Sequence, residues 1–253
     1  MWILLILLSH DTTTVNVWKW GSYQVRHVFV ERDDFEEHMV EVVDGGGRKL
    51  YSSSSYEEAS YAIPTSVKIM DLNGDGKREL FIEYFTAGAH CCYIYHILGE
   101  SGGKVKLIQE ISTADSPVKI RDLDGDGSME LIFGDMSLAY VFTSFAGSPV
   151  PFVVLKYSPR NGKWLCSGRL TRAYNRKHIT SEYPNTEEYV EGDRLRVDYL
   201  ERAVRMIYAG RIKEAHRLIM RKWNGSRKEA EQFWKDLMNA LKDSPYFSCV
   251  NSN

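Results

Sequence analysis

The sequence predicts a mainly β fold with a C-terminal α-helical segment, α+β overall. Three observations lead there. From Tyr23 onward, apolar and polar residues alternate between tight turns; one strand–loop–strand unit occurs twice; and beyond about residue 186 the apolar period changes from 2 to 3.6. With 253 residues, 43% of them hydrophobic, the chain can bury one good-sized core or two modest ones, which excludes a disordered protein.

Residues 1–20 open with Trp2–Leu8 (WILLILL), an apolar run of 7. It is far too short to span a bilayer, and it stands at the lower limit of a signal-peptide core, without the basic flank or the small-residue cleavage site. The segment reads either as a truncated or mis-started signal peptide or as an ordinary first strand. No transmembrane span is expected. From Tyr23 to Tyr51 the text is that of a β-meander: YQVRHVFVE, the acidic DDFEE, HMVEVVD, a turn at Gly45–Gly47, then RKLY. The serines 52–55 are too few to link independent domains.

VKIMDLNGDGKREL begins at Val67 and VKIRDLDGDGSMEL at Val118, 51 residues later, with ten of fourteen positions identical. In each copy a strand-like VKI enters an acidic loop and an apolar run, LFIEYF or LIFGD, leaves it. The period is close to that of a propeller blade. YVFTSF, PFVVLKYS and KWLCSG read as further strands, with Asn161-Gly162 the strongest hairpin turn, so the β region is placed at 21–175. After a polar connector with Pro184 and Asn185, Leu200, Val204, Ile207 and Tyr208 share a helix face that ends at Gly210. Ile212, Ala215, Leu218 and Ile219 form a second stripe. A third helix opens on a capping box, Ser226 with Glu229, and carries Ala230, Phe233, Leu237 and Leu241, which completes a helical segment over 186–247.

Calcium takes six to eight hard oxygens in a flexible arrangement, and a tight loop supplies them from alternate residues when glycines let the backbone curl. Asp71, Asn73 and Asp75 stand at positions 1, 3 and 5 of the first loop, the carbonyl of Lys77 at 7 and Glu79 at 9. The second loop offers Asp122, Asp124, Asp126, the carbonyl of Ser128, and Glu130. Two Ca²⁺ sites are expected. An EF-hand needs a glutamate at position 12 and a helix after it, whereas Ile82 and Phe133 stand there inside strand-like runs.

The two segments resemble the FG-GAP, or VCBS, repeat family, whose blades carry a D-x-[DN]-x-D-G-x-x-[DE] calcium loop between strands. The resemblance covers Val67 to Gly147 and implies calcium ligation at the positions just named, within a partial β-propeller-like arrangement. FTAGAHCCYIYHI and SFAGSPVP are also similar to uncharacterised bacterial proteins with such repeats. Two loops are too few for a closed family propeller, and both have glutamate at position 9, where aspartate is frequent.

The alternative for each loop is an empty Asp/Asn/Gly turn, but so many carboxylates in nine residues repel one another without a cation. By carboxylate count, four against three, the tighter site is expected at Asp122. Extracellular modules bind calcium at about 10⁻⁴ to 10⁻³ M, which points to a periplasmic or secreted protein. The net charge of -2 gives no footprint for nucleic acid, and the excess of Lys and Arg between Asp193 and Lys242 reads as a solvated helical face. The expected role is a monomeric binding module with a protein or glycan partner; the rivals are a structural domain whose calcium serves folding alone, and a hydrolase or redox protein using His90, Cys91 and Cys92 with His96 nearby. In a strand, adjacent cysteines point to opposite faces, so buried structural cysteines or a vicinal disulfide also account for the pair. Cys166 and Cys249 are candidates to tie the helical end to the β region.

Overall fold

The computed structural model of the chain describes residues 12–32, 35–56, 62–88, 91–179, 188–190 and 192–251. Trp2–Leu8, His90, Pro184 and Asn185 lie outside the described residues. The chain divides into two compact units, Met1–Ala114 and Asp115–Asn253. That boundary falls inside the stretch 21–175.

In the first unit β1 (Thr12–Trp20), β2 (Tyr23–Arg32), β3 (Phe35–Val43) and β4 (Lys49–Ser52) form one antiparallel sheet in chain order. A second sheet contains β5 (Ile63–Met70), β6 (Glu79–Gly88), β7 (Cys91–Ser101) and β8 (Lys104–Ser112), again in order. The Gly45–Gly47 turn forms because Asp44 accepts hydrogen bonds from the amides of Gly46 and Arg48 through Oδ1, at 3.0 and 2.9 Å. Alternation then sets the core: Val40 and Val42 from one sheet share a buried cluster with Leu80, Ile82, Tyr84, Ile94 and Leu98 from the other. Each fully buried aliphatic side chain of this set contributes about 1.5–3 kcal/mol.

The second unit repeats the meander. β9 (Lys119–Arg121), β10 (Glu130–Gly134), β11 (Phe152–Ser158) and β12 (Lys163–Cys166) form a four-stranded antiparallel sheet in chain order. The repeated loops therefore stand at the same place, between the first and second strands of a four-stranded meander. Among the described residues no sheet closes into a barrel or ring.

Two readings of the sequence are corrected here. YVFTSF (Tyr140–Phe145) is not a strand: Asp135 accepts from the amide of Ser137, turns follow at Met136–Ala139 and Leu138–Val141, and Tyr140 has φ of 62°. Turn chemistry outweighs the apolar run, and Phe142 instead stacks edge-on against Phe233. The β region also stops before Leu170, because Ser167 caps α1 (Gly168–Lys177) by accepting from the Leu170 amide. The buried Thr171 and Asn175 of α1 accept from the amides of Val154 and Phe152 at 3.0 and 3.1 Å, completing the backbone bonding of β11.

A small ribbon, β13 (Tyr189–Val190) with β14 (Leu195–Arg196), leads into α2 (Val197–Tyr208), α3 (Ile212–Lys222), α4 (Arg227–Ala240) and α5 (Phe247–Asn251). The stripes read from the sequence are buried, apart from the half-buried Ile212, and both hydrogen bonds of the Ser226–Glu229 capping box form. Of the basic face, Arg205 is not solvated: it pairs with Glu201 and covers the Phe152 ring at 4.5 Å. A disulfide joins Cys166, at the end of β12, to Cys249 in α5, and a β-carbon on Gly168 would collide with the Cys249 carbonyl oxygen. Among the described residues no helix is long and apolar enough to cross a membrane.

Candidate metal centre

Both acidic loops are wound on the same internal scaffold. Asp71 accepts from the amides of Gly74 and Gly76, each at 2.8 Å, and Asp122 accepts from Gly125 and Gly127 at 2.7 and 3.1 Å. Asp75 accepts from the Lys77 amide and Asp126 from that of Ser128. The four glycines at loop positions 4 and 6 all have φ between 75° and 89°, a region that other residues enter at a cost. At position 9, Glu79 and Glu130 are buried, and each accepts from the amide of the leucine at position 2, Leu72 at 2.8 Å and Leu123 at 2.7 Å. The carboxylates at positions 1 and 9 are thus held by backbone N–H groups of their own loop, while those at position 5, Asp75 and Asp126, accept from the amide two residues on and remain exposed.

The loops differ in what meets the remaining oxygen of the buried glutamate. In the first, Asn73 donates its amide N–H to Glu79 Oε1 at 3.0 Å, and its own Oδ1 accepts from the Asp75 amide at 2.9 Å. In the second, position 3 is Asp124, which has no proton to give, and Glu130 Oε1 is buried without a hydrogen-bond donor. Oxygens of Asp122, Asp124 and Glu130 lie within 4.8 Å of one another. The ammonium of Lys156, on β11, enters this cluster: it donates to Asp124 at 2.8 and 2.9 Å and to Asp126 at 2.5 Å, and it stands 3.4 Å from Glu130 Oε1. Arg169 adds a bond of 2.6 Å to Asp124.

The charges follow this geometry. Burial raises the Glu79 carboxyl above the usual carboxylate range, with Asp75 and Asp71 pushing the same way. Burial also raises Glu130, where Lys156 pulls it back. The Lys156 hydrogen bond holds Asp126 down at about 2 and lowers Asp124 as well. Of the residues expected to act as ligands, the structure thus brings Asp122, Asp124 and Glu130 together directly, and it holds Asp126 beside them through Lys156. Asp71, Asn73, Asp75 and Glu79 are tied into one hydrogen-bonded loop. Lys77 and Ser128 occupy position 7, and the carbonyls one residue on, at Arg78 and Met129, are already taken by the indole N–H groups of Trp20 and Trp164. Next to the first loop lies a cavity of about 810 Å³ lined by Trp20, Tyr23, Asn73, Asp75, Glu79 and Gly99.

No family model matches the chain. Among curated proteins, the uncharacterized protein y4bJ of Sinorhizobium fredii is 34% identical over 89 residues. That stretch is 35% of this chain and 14% of the relative, so the chain spans a small part of that protein's length. The similarity carries no activity with it.

Of the cysteine–histidine group, the described residues are Cys91, Cys92 and His96. Cys91 and Cys92 are bonded to each other at the β6–β7 hairpin tip, which leaves no thiolate on either in this state. His96 is fully buried elsewhere in β7, with Nε2 2.6 Å from Glu110 Oε2 and Nδ1 hydrogen-bonded to the Tyr51 hydroxyl. The lysine and tryptophan partners of the loops were not legible in the sequence. Only the strand register, which sets Lys156 across from Glu130, would have found the first of them.

Proposed function

We propose that the chain is a calcium-binding module of the FG-GAP type, acting outside the cytoplasm, in which two Ca²⁺ ions stiffen the loops of blade-like meanders and a protein or glycan partner is bound on the surface they stabilise. The observation that carries this reading is the buried Glu130 Oε1, which lies in one cluster with the carboxylates of Asp122 and Asp124, accepts no hydrogen bond, and has the Lys156 ammonium only at an ion-pair distance of 3.4 Å. A buried carboxylate oxygen that accepts no hydrogen bond is costly, and a hard cation coordinated by it relieves that cost. Asp122, Asp124, Asp126, the Ser128 carbonyl and Glu130 would hold one ion; Asp71, Asn73, Asp75, the Lys77 carbonyl and Glu79 would hold the other. The bound ions supply charge neutralisation and loop rigidity. The identical amide scaffold of the two loops supports the same role for both, and their place between the first two strands of a meander supports the blade comparison. The disulfides fit an oxidising compartment.

Thermal melting in excess chelator and in millimolar calcium tests the reading: calcium is expected to raise Tm by several degrees, and a melting curve insensitive to both rejects it. The cavity beside the first loop favours a binding role over calcium for folding alone. Partner capture that depends on calcium while the protein stays folded in chelator separates the two.

A further inference from the structure

The surroundings of the two loops differ at one position of the sheet. In the antiparallel register Leu131 faces Leu155 and Leu80 faces Leu98, so Lys156 stands across from Glu130 and Gly99 across from Glu79. We propose that Lys156 is a resident cation of the second loop that competes with calcium, so that the first loop is the tighter calcium site and the second fills only when calcium displaces the ammonium. This rests on the calcium reading above and reverses the order expected from counting carboxylates.

The ammonium reaches Asp124, Asp126 and Glu130, the side chains at loop positions 3, 5 and 9. Those are three of the five groups a calcium ion would use, and two cations cannot share them without strong repulsion. Lys156 and Arg169 together offset two of the four negative charges of the second loop. In the first loop no such cation can come from the equivalent strand position: a β-carbon on Gly99 would stand 2.6 Å from Ile108 Cδ1, and Gly99 instead lines the cavity beside Asn73, Asp75 and Glu79. The lysine is also an incomplete occupant. Its three N–H donors serve Asp124 and Asp126 and leave Glu130 Oε1 at 3.4 Å without a hydrogen bond. A divalent ion that gathers six to eight oxygens would satisfy that atom, which is why displacement is expected rather than exclusion.

Calorimetric titration of CaCl₂ into the 253-residue chain tests the proposal. Asp75→Asn and Asp126→Asn identify the loops, since each keeps the Oδ1 acceptor and removes one charge. The wild type is expected to bind in two steps, with Asp75→Asn weakening the tighter and Asp126→Asn the weaker. Lys156→Met is expected to tighten the weaker step by about tenfold or more and to leave the tighter one unchanged. In chelator this variant should melt below wild type, and calcium should restore it. A weaker step within about twofold of wild type in Lys156→Met, or a tighter step lost in Asp126→Asn, overturns the proposal while leaving calcium binding intact. Absence of binding by both wild type and Lys156→Met at about 10 mM overturns the calcium reading with it. Lys156→Gln is the second neutral variant; if neither folds even in calcium, Lys156 is a structural ion-pair partner and the proposal fails.

Discussion

The indole N–H of Trp164 donates to the carbonyl oxygen of Met129 at 2.9 Å, anchoring the eighth residue of the second acidic loop. Trp20 does the same for Arg78 in the first, at 2.6 Å. One tryptophan lies 58 residues before its loop partner on β1 and the other 35 residues after it on β12. The two loops therefore share a clamp that their repeated sequence does not contain.

Trp20→Phe and Trp164→Phe each remove the donor and keep most of the apolar body. Both tryptophans are almost fully buried, so each substitution leaves a carbonyl unpaired and is expected to cost about 1–3 kcal/mol. Urea unfolding of the two variants measures it; an unchanged midpoint for either would show that its clamp is dispensable.

The two buried glutamates should answer differently to the same change. Glu79 accepts from the Leu72 amide and the Asn73 side chain, so Glu79→Gln sets an amide N–H against a donor and is expected to lower Tm in chelator. Glu130 Oε1 accepts no hydrogen bond and has only the ion pair with Lys156 at 3.4 Å, so Glu130→Gln removes an ion pair but sets no N–H against a hydrogen-bonded donor, and its loss of Tm in chelator should be smaller than that of Glu79→Gln. Both variants should lose calcium response at their own loop. A Tm loss in Glu130→Gln as large as that in Glu79→Gln would contradict the account of the orphan oxygen.

His96 gives a pH dependence whose sign follows from its burial. Desolvation holds its pKa below the ordinary value of 6.5, against the opposing pull of Glu110. The folded protein therefore binds fewer protons than the unfolded chain in the range below 6.5, so this group's stabilisation is complete above that pH and is lost as pH falls through the folded value. In His96→Gln the slope of unfolding free energy between pH 7 and 5 should be flatter than in wild type. His27, also lowered by burial and by His38, titrates alike in both proteins, so the difference isolates His96. Parallel slopes would contradict the prediction.

The Cys166–Cys249 bond closes a separation of 83 residues. A loop of that size restrains the unfolded chain by about 4.5 kcal/mol in the loop-entropy account, so the double serine variant should unfold at clearly lower denaturant. Unchanged stability would mean that the β12–α5 contact holds without the bond.

Much of the architecture was legible from local pattern. The Asp44 turn, the alternation in β3, the apolar run of β6, the capping box at Ser226 and the helical stripes of α2 to α4 all follow from patterns within a few residues. YVFTSF and the α1 start misled because an apolar run fits strand or turn equally. There the outcome lay with the Asp135 turn bonds and with the Ser167 cap, after which Thr171 of α1 accepts from the Val154 amide of β11.

By itself the sequence determined the two loops: their register, the glycines that curl them, and the carboxylates that bind their own loop amides, because each of those is set by bonds closed within nine residues. Only the tertiary structure decided what the carboxylates meet. Asn73 serves Glu79 from inside its own loop, whereas Lys156, Arg169, Trp20 and Trp164 arrive across dozens of residues through strand pairing and chain return. Two nearly identical segments thus acquire different electrostatic surroundings, for a local pattern fixes where charge is placed and the fold fixes what is brought to balance it.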